Sequence, residues 1–96
     1  MMAHINTLKR PLRILYWNAD GVERDKLLLG VVMERESIDL ALLGETRLKP
    51  NRTLKIRNYS TYHNPGPNPP YGGTAILIKR SIQHQVIQPP LSKTYR

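Results

Sequence analysis

The stretch Ser37-Ile38-Asp39-Leu40-Ala41-Leu42-Leu43-Gly44-Glu45-Thr46-Arg47 constrains the fold of this chain more than any other. Ile38 and the run Leu40 to Leu43 form a short, nearly unbroken apolar segment with no polar alternation. That is the pattern of a strand covered on both faces, as in α/β architectures. Ligands in such sheets collect in the crevice outside the carboxyl ends of the strands, and Glu45 stands at that end. Taken with this strand alone, a solvated loop glutamate is the simpler account of Glu45. A second strand that delivers another polar group to the same edge changes the balance.

The preceding segment supplies one. Leu12, Ile14 and Tyr16 alternate with Arg13, Leu15 and Trp17, which predicts a strand over Leu12–Trp17, and continuing the alternation places Asn18 and Asp20 on one face at its end. Gly21 marks a turn. Over Val22–Glu36, apolar residues at Leu28, Val31 and Val32, and at Leu29 and Met33, have the spacing of a helix packed on one side; Gly30 weakens it by roughly 1 kcal/mol relative to alanine. A strand, helix, strand unit of this length makes the two strands parallel with a right-handed crossover, so Asp20 and Glu45 are expected at one sheet edge. Two carboxylates with the Asn18 amide form an all-oxygen donor set suited to Mg²⁺, which needs only one or two carboxylates plus water and substrate phosphate. Manganese is the alternative ion. Each residue also has a plainer reading. Asp20 with Glu23 three positions on matches a capping box, the simpler account on spacing alone; Asn18 suits a turn; and Trp17 suits a core as well as a nucleobase platform.

Downstream, Thr46–Asn58 reads as a basic loop carrying Arg47, Lys49, Arg52, Lys55 and Arg57, broken at Pro50. Tyr59–His63 is a short strand candidate. Asn64–Gly73 holds four prolines and three glycines, which exclude a regular element. Thr74–Ile78 is an apolar strand, and Lys79–Ile82 is a hairpin connection to a more polar strand, Gln83–Ile87, ended by Pro89 and Pro90. Residues 1–11 read as a flexible lead, and Leu91–Arg96 as a chain cut short. At 96 residues the chain fits one small domain or part of a larger one, and its 15 lysines and arginines against 7 acids, a net charge of +8, favour a polyanionic partner. The absence of cysteine excludes disulfides and thiolate metal sites, and three histidines argue against a histidine-rich zinc site. Met1–Arg10 lacks the apolar core of a signal peptide and no run reaches the ~18 apolar residues of a membrane helix, so an intracellular, unsecreted protein is expected.

Three motifs in order, Trp17-Asn18-Ala19-Asp20-Gly21, Leu42-Leu43-Gly44-Glu45-Thr46-Arg47 and Gly72-Gly73-Thr74-Ala75-Ile76-Leu77-Ile78, resemble the endonuclease/exonuclease/phosphatase family. Within it the chain is most similar to the apurinic-type endonuclease domain that begins jockey-like non-LTR retrotransposon polyproteins; these carry a similar Asn58-Tyr59-x-x-Tyr62 segment. The resemblance covers about Leu12 to Pro90. It implies the N-terminal part of a four-layer α/β sandwich of the DNase I-like type with a mixed sheet, truncated at the C-terminus. By the same resemblance Glu45 matches the metal-binding glutamate, Asn18 the active-site asparagine that helps place metal and scissile phosphate, and Asp20 an aspartate of apurinic endonucleases that many retroelement members replace. The family's later Asp-x-Asn and Ser-Asp-His motifs are absent, and His4, His63 and His84 do not sit in them. The implied function is that of a Mg²⁺-dependent endonuclease fragment, inactive alone. Its partners would be DNA and a downstream reverse-transcriptase region, and its place the nucleus when acting on DNA, otherwise the cytoplasm. The alternatives are a non-catalytic basic nucleic-acid-binding module and a phosphatase of the same family.

Overall fold

The computed structural model describes residues 10–87, so the expected lead before Arg10, the Pro89-Pro90 stop and Leu91–Arg96 lie outside the described residues. Four strands, β1 (Ile14–Asn18), β2 (Leu40–Gly44), β3 (Tyr59–Asn64) and β4 (Thr74–Lys79), form one mixed sheet in the order β1-β2-β4-β3. β1 and β2 are parallel, with Ile14 opposite Leu40 and Asn18 opposite Gly44, and the other two pairings are antiparallel. The crossover between the parallel strands is a single turn of 3-10 helix at Glu23–Asp25 running into α1 (Lys26–Arg35).

Cross-strand register sorts the side chains into two unlike faces. Leu15, Trp17, Ala41, Leu43, Ala75 and Leu77 belong to the covered face, where they share a core with Leu29 and Met33 of α1. Leu48, Leu54 and Ile56 of the 46–58 segment complete that core, so the basic loop is anchored by three apolar residues that its charge pattern hides. On the other face the rows run Ile14-Leu40-Ile78-Ser60, then Tyr16-Leu42-Ile76-Tyr62, then Asn18-Gly44-Thr74-Asn64. Tyr16 is 79% exposed and Ile14 53%. The expectation that β2 is covered on both faces is therefore corrected: Ala41 and Leu43 are buried, while Leu40 and Leu42 are only half-buried. The cause is that α1 and the 46–58 segment both pack on one side.

Two other expectations also change. Only the Leu29 and Met33 stripe of α1 is buried; Leu28 and Val31 face solvent. Gln83–Ile87 forms no strand, because β4 is already flanked by β2 and β3 and offers no free edge to a hairpin partner. Instead His84 lies edge-on against Tyr62, ring centroids 5.6 Å apart.

At the end of the sheet away from Glu45, Asp39 is fully buried. Its carboxylate accepts bonds from both Arg10 Nη atoms (2.8 and 2.9 Å) and from the Arg13 backbone N–H (2.8 Å), with Lys79 Nζ at 3.9 Å. The Arg10 guanidinium, backed by the Arg13 N–H, outweighs burial and holds the Asp39 carboxyl below the usual carboxylate range. Beside it the buried Tyr59 hydroxyl rests on the carbonyls of Met33 and Ile38, tying β3 to the end of α1.

Because the folded Asp39 titrates below its unfolded value of ~3.9, its contribution is fully present above that pH and is lost as pH falls toward the folded value. Asp39→Asn should therefore lower stability near neutral pH and flatten the acid limb below pH ~4, as followed by circular dichroism. Each open-face side chain forgoes about 1.5–3 kcal/mol of burial, so the 96-residue chain on its own should self-associate. Tyr16→Lys combined with Ile76→Lys should raise the monomeric fraction in sedimentation several-fold, whereas Leu43→Lys on the covered face should abolish folding.

Candidate functional site

The site is built by continuing backbone pairing past the strand ends. Ala19 N–H donates to Gly44 O (2.8 Å), Gly21 N–H to Glu45 O (2.9 Å) and Val22 N–H to Thr46 O (3.0 Å). From the other side, Thr46 N–H donates to Gly73 O (3.1 Å) and Arg47 N–H to Gly72 O (2.8 Å). The segment after β2 is thus held between the turn after β1 and the entry to β4. Its conformation departs from a strand: Asp20, Glu45 and Arg47 all have positive φ, +49°, +48° and +54°. A left-handed non-glycine residue costs about 1 kcal/mol or more, and such residues concentrate at functional sites.

These turns decide where the side chains go. Asp20 lies beyond β1, so the strand alternation expected to pair it with Asn18 does not reach it. Nor does it cap a helix: Val22 occupies the N-cap of the 3-10 turn without a side-chain cap bond, and Glu23 instead pairs with Lys26 (4.0 Å) and Arg52 (3.8 Å). Asp20 and Glu45 meet through Arg47, whose Nη2 is 2.9 Å from Asp20 Oδ1 and whose Nε is 3.8 Å from Glu45 Oε1. Asn18 ends β1 opposite Gly44, exposed on the open face, and among the described residues its side chain makes no hydrogen bond to either acid.

The donor set fits a hard divalent cation. Two part-exposed carboxylates already converge on one positive group, their donors are all oxygen, and their exposure leaves room for bound water. Among the described residues no three His, Cys, Asp or Glu side chains cluster, so this corner offers two carboxylates and no third donor of these types, and the rest of a cation's shell would be water and substrate. The described histidines serve other ends. His63 Nε2 lies 3.2 Å from the Thr46 hydroxyl, and desolvation lowers its pKa, favouring the neutral ring. His84 Nδ1 faces Ile82 O at 2.9 Å, which makes it the protonated nitrogen and leaves Nε2 to accept from Tyr62 OH at 2.8 Å. His4 is outside the described residues.

Sequence reasoning missed the support of this corner. Thr46 is fully buried, and a Cβ placed on Gly73 (φ +92°) would stand 2.5 Å from Thr46 Oγ1 and 3.3 Å from Pro65 O. A glycine pair directly before a strand is the signal that a close backbone approach leaves. The 46–58 basic residues also divide. Arg47 and Arg52 pair with acids, while Lys55 and Arg57, joined by Arg80, border an open cleft of about 820 Å³ along β3. Among the described residues these three have no carboxylate within ion-pair range.

Gly73→Ala should lose about 2–4 kcal/mol through clash and left-handed strain together, whereas Gly72→Ala, with φ +73° and open space around it, should lose only about 1. Thr46→Ala should recover part of the Gly73→Ala loss in a double-mutant cycle read by urea unfolding.

Comparison with known proteins bears on the family and the fold. The sequence model of the endonuclease/exonuclease/phosphatase family matches residues 15–95. The chain is 41% identical over 81 residues to a probable RNA-directed DNA polymerase from transposon X-element of Drosophila melanogaster, a match covering 82% of this chain and 9% of that protein. It is 34% identical over 77 residues to the corresponding protein from transposon BS of the same fly, covering 77% and 8%. Among solved structures, the AP endonuclease LMAP from Leishmania major superposes with a TM-score of 0.64 at 27% identity, over 73% of this chain and 24% of that one. The chain thus spans less than a tenth of the transposon proteins and about a quarter of the solved enzyme, and its sheet and helix are the mixed-sheet portion of a DNase I-like α/β sandwich. On the match over residues 15–95, the chain belongs to the endonuclease/exonuclease/phosphatase family.

Proposed function

We propose that this chain supplies the cation-binding corner of a divalent-metal-dependent DNA endonuclease that nicks target DNA for retrotransposition. The observation that carries it is the convergence of Asp20 and Glu45 at the carboxyl ends of two parallel strands in a chain of this family. Glu45, Asp20 and Asn18 would hold the ion, Mg²⁺ or Mn²⁺. When bound, it supplies Lewis-acid stabilisation of the charge that develops on the scissile phosphate. Glu45 and Asp20 contribute charged oxygens from left-handed residues whose flanking main chain is hydrogen-bonded across the two loops. The Asn18 amide can donate to a phosphate oxygen at the same edge. Lys55, Arg57 and Arg80, free of acidic partners among the described residues, attract a polyanion without reading its sequence. The transposon relatives support a reverse-transcriptase region in the same polypeptide, and a polypeptide that nicks chromosomal DNA would act in the nucleus.

None of the described histidines is placed to activate water at this corner, and general acid–base help is usually worth ~10²–10⁴-fold. The 96-residue chain, which we read as the N-terminal part of a longer domain, should therefore not cut DNA. A non-catalytic binding module is the second reading, favoured by the net charge of +8.

Plasmid nicking with Mg²⁺ or excess chelator separates them. A polypeptide extended through Asp-x-Asn and Ser-Asp-His motifs should nick in Mg²⁺, and Glu45→Gln, which removes a ligand charge but keeps its shape, should lower the rate at least 10²-fold. Metal-dependent nicking by residues 1–96 that is lost in Glu45→Gln would show the short chain to be sufficient. Binding without nicking by the extended form would favour the module.

A further inference from the structure

Resting on the reading of Asp20 and Glu45 as a cation site, we propose that Arg47 is an exchangeable counter-ion that couples divalent-cation binding to phosphodiester binding. Its main chain is fixed independently of its side chain: the N–H bonds Gly72 O at 2.8 Å and φ is +54°. From that base a half-exposed guanidinium reaches both acids, but unequally. The 2.9 Å contact to Asp20 is a charge-assisted hydrogen bond, whereas 3.8 Å to Glu45 is an ion pair outside hydrogen-bond range. Glu45 is the acid more easily given up to another cation.

Charge balance drives the exchange. Two carboxylates and one guanidinium leave the corner with a net charge of minus one. A divalent cation added to the same carboxylates makes it plus one, with like charges a few ångströms apart. Among the described residues no other basic side chain pairs with either acid: Arg24 reaches only the Asp20 main-chain carbonyl (3.4 Å), and its ion pair is with Asp25. A phosphodiester brings the third charge needed to reach neutrality, and its paired oxygens match the guanidinium fork. Cation and phosphodiester therefore each favour the other's binding, by the same factor in both directions. Arg47 is in this sense a positioning residue, moving from the acids to the phosphate as the ion takes its place.

The test measures Mn²⁺ affinity in the full-length polypeptide, from the free-ion electron paramagnetic resonance signal, with and without a phosphorothioate duplex whose own bound ions are subtracted. Arg47→Gln leaves the main-chain bond to Gly72 intact, and amide spectra verify the fold. In the wild type the duplex should tighten Mn²⁺ about tenfold. Arg47→Gln should bind Mn²⁺ about tenfold tighter without duplex and gain clearly less from the duplex than the wild type does, the remaining gain being the direct contact of phosphate with the ion. Arg47→Lys should fall between, and Glu45→Gln should lose Mn²⁺ in every arm. If Arg47→Gln binds Mn²⁺ no tighter than the wild type while Glu45→Gln still loses it, the counter-ion proposal is overturned and the cation site stands. If Glu45→Gln leaves Mn²⁺ affinity unchanged, the cation site itself is wrong and the proposal goes with it.

Discussion

The buried carboxylate of Asp39 sets the frame on which the rest of the sheet depends. Through it the residue before β1, the entry to β2 and the exit of β4 meet at one point, and its own N–H and C=O bond Arg13 O and Lys79 N. A buried charge left without partners is expensive, so the three segments cannot shift past one another by a residue without exposing that cost. Register fixed at this end is carried along β2 to the other. The seven residues from Asp39 to Glu45 thus hold two acids with opposite roles, one sealed inside its partners and one half-exposed.

At the far end, regular pairing gives way to a strained corner held by main-chain bonds. Three left-handed residues are tolerable there because five such bonds run through the corner, three to the turn after β1 and two to the glycines before β4. The strain is thereby over-determined by the surrounding backbone. Thr46 is the keystone: its backbone bonds both flanks, and its side chain fills the space that Gly73 leaves empty and meets His63 behind.

Periodicity made the strand, helix, strand unit legible, because patterns of two and of three to four residues survive whatever else the chain packs against. The motifs around Asn18, Glu45 and Gly73 made the family legible. What stayed hidden was non-local. Asp39 sits inside an apolar run with nothing to mark Arg10, 29 positions earlier, as its partner. Leu48, Leu54 and Ile56 are too widely spaced to register as a core segment, yet all three are buried. The Gln83–Ile87 strand was expected from a locally sound pattern and fails because strand order, which local pattern does not encode, leaves β4 no vacant edge. On spacing alone Asp20 fits a capping box at least as readily as a cation site for the same reason, since its partner Arg47 lies on another loop.

The three rows of the open sheet face are graded in polarity, with Ile14, Leu40, Ile78 and a lone polar Ser60 in the first, Tyr16, Leu42, Ile76 and Tyr62 in the second and Asn18, Gly44, Thr74 and Asn64 in the third. Any surface laid on this face meets a shoreline between the second and third rows, dry on one side and wet on the other. Asn18 stands on that line, one residue from the buried Ala19 and at the strand end that leads to Asp20. Its amide is then the first polar group beyond an apolar seam, so a change there would alter how far water reaches under any covering surface as well as what the amide binds.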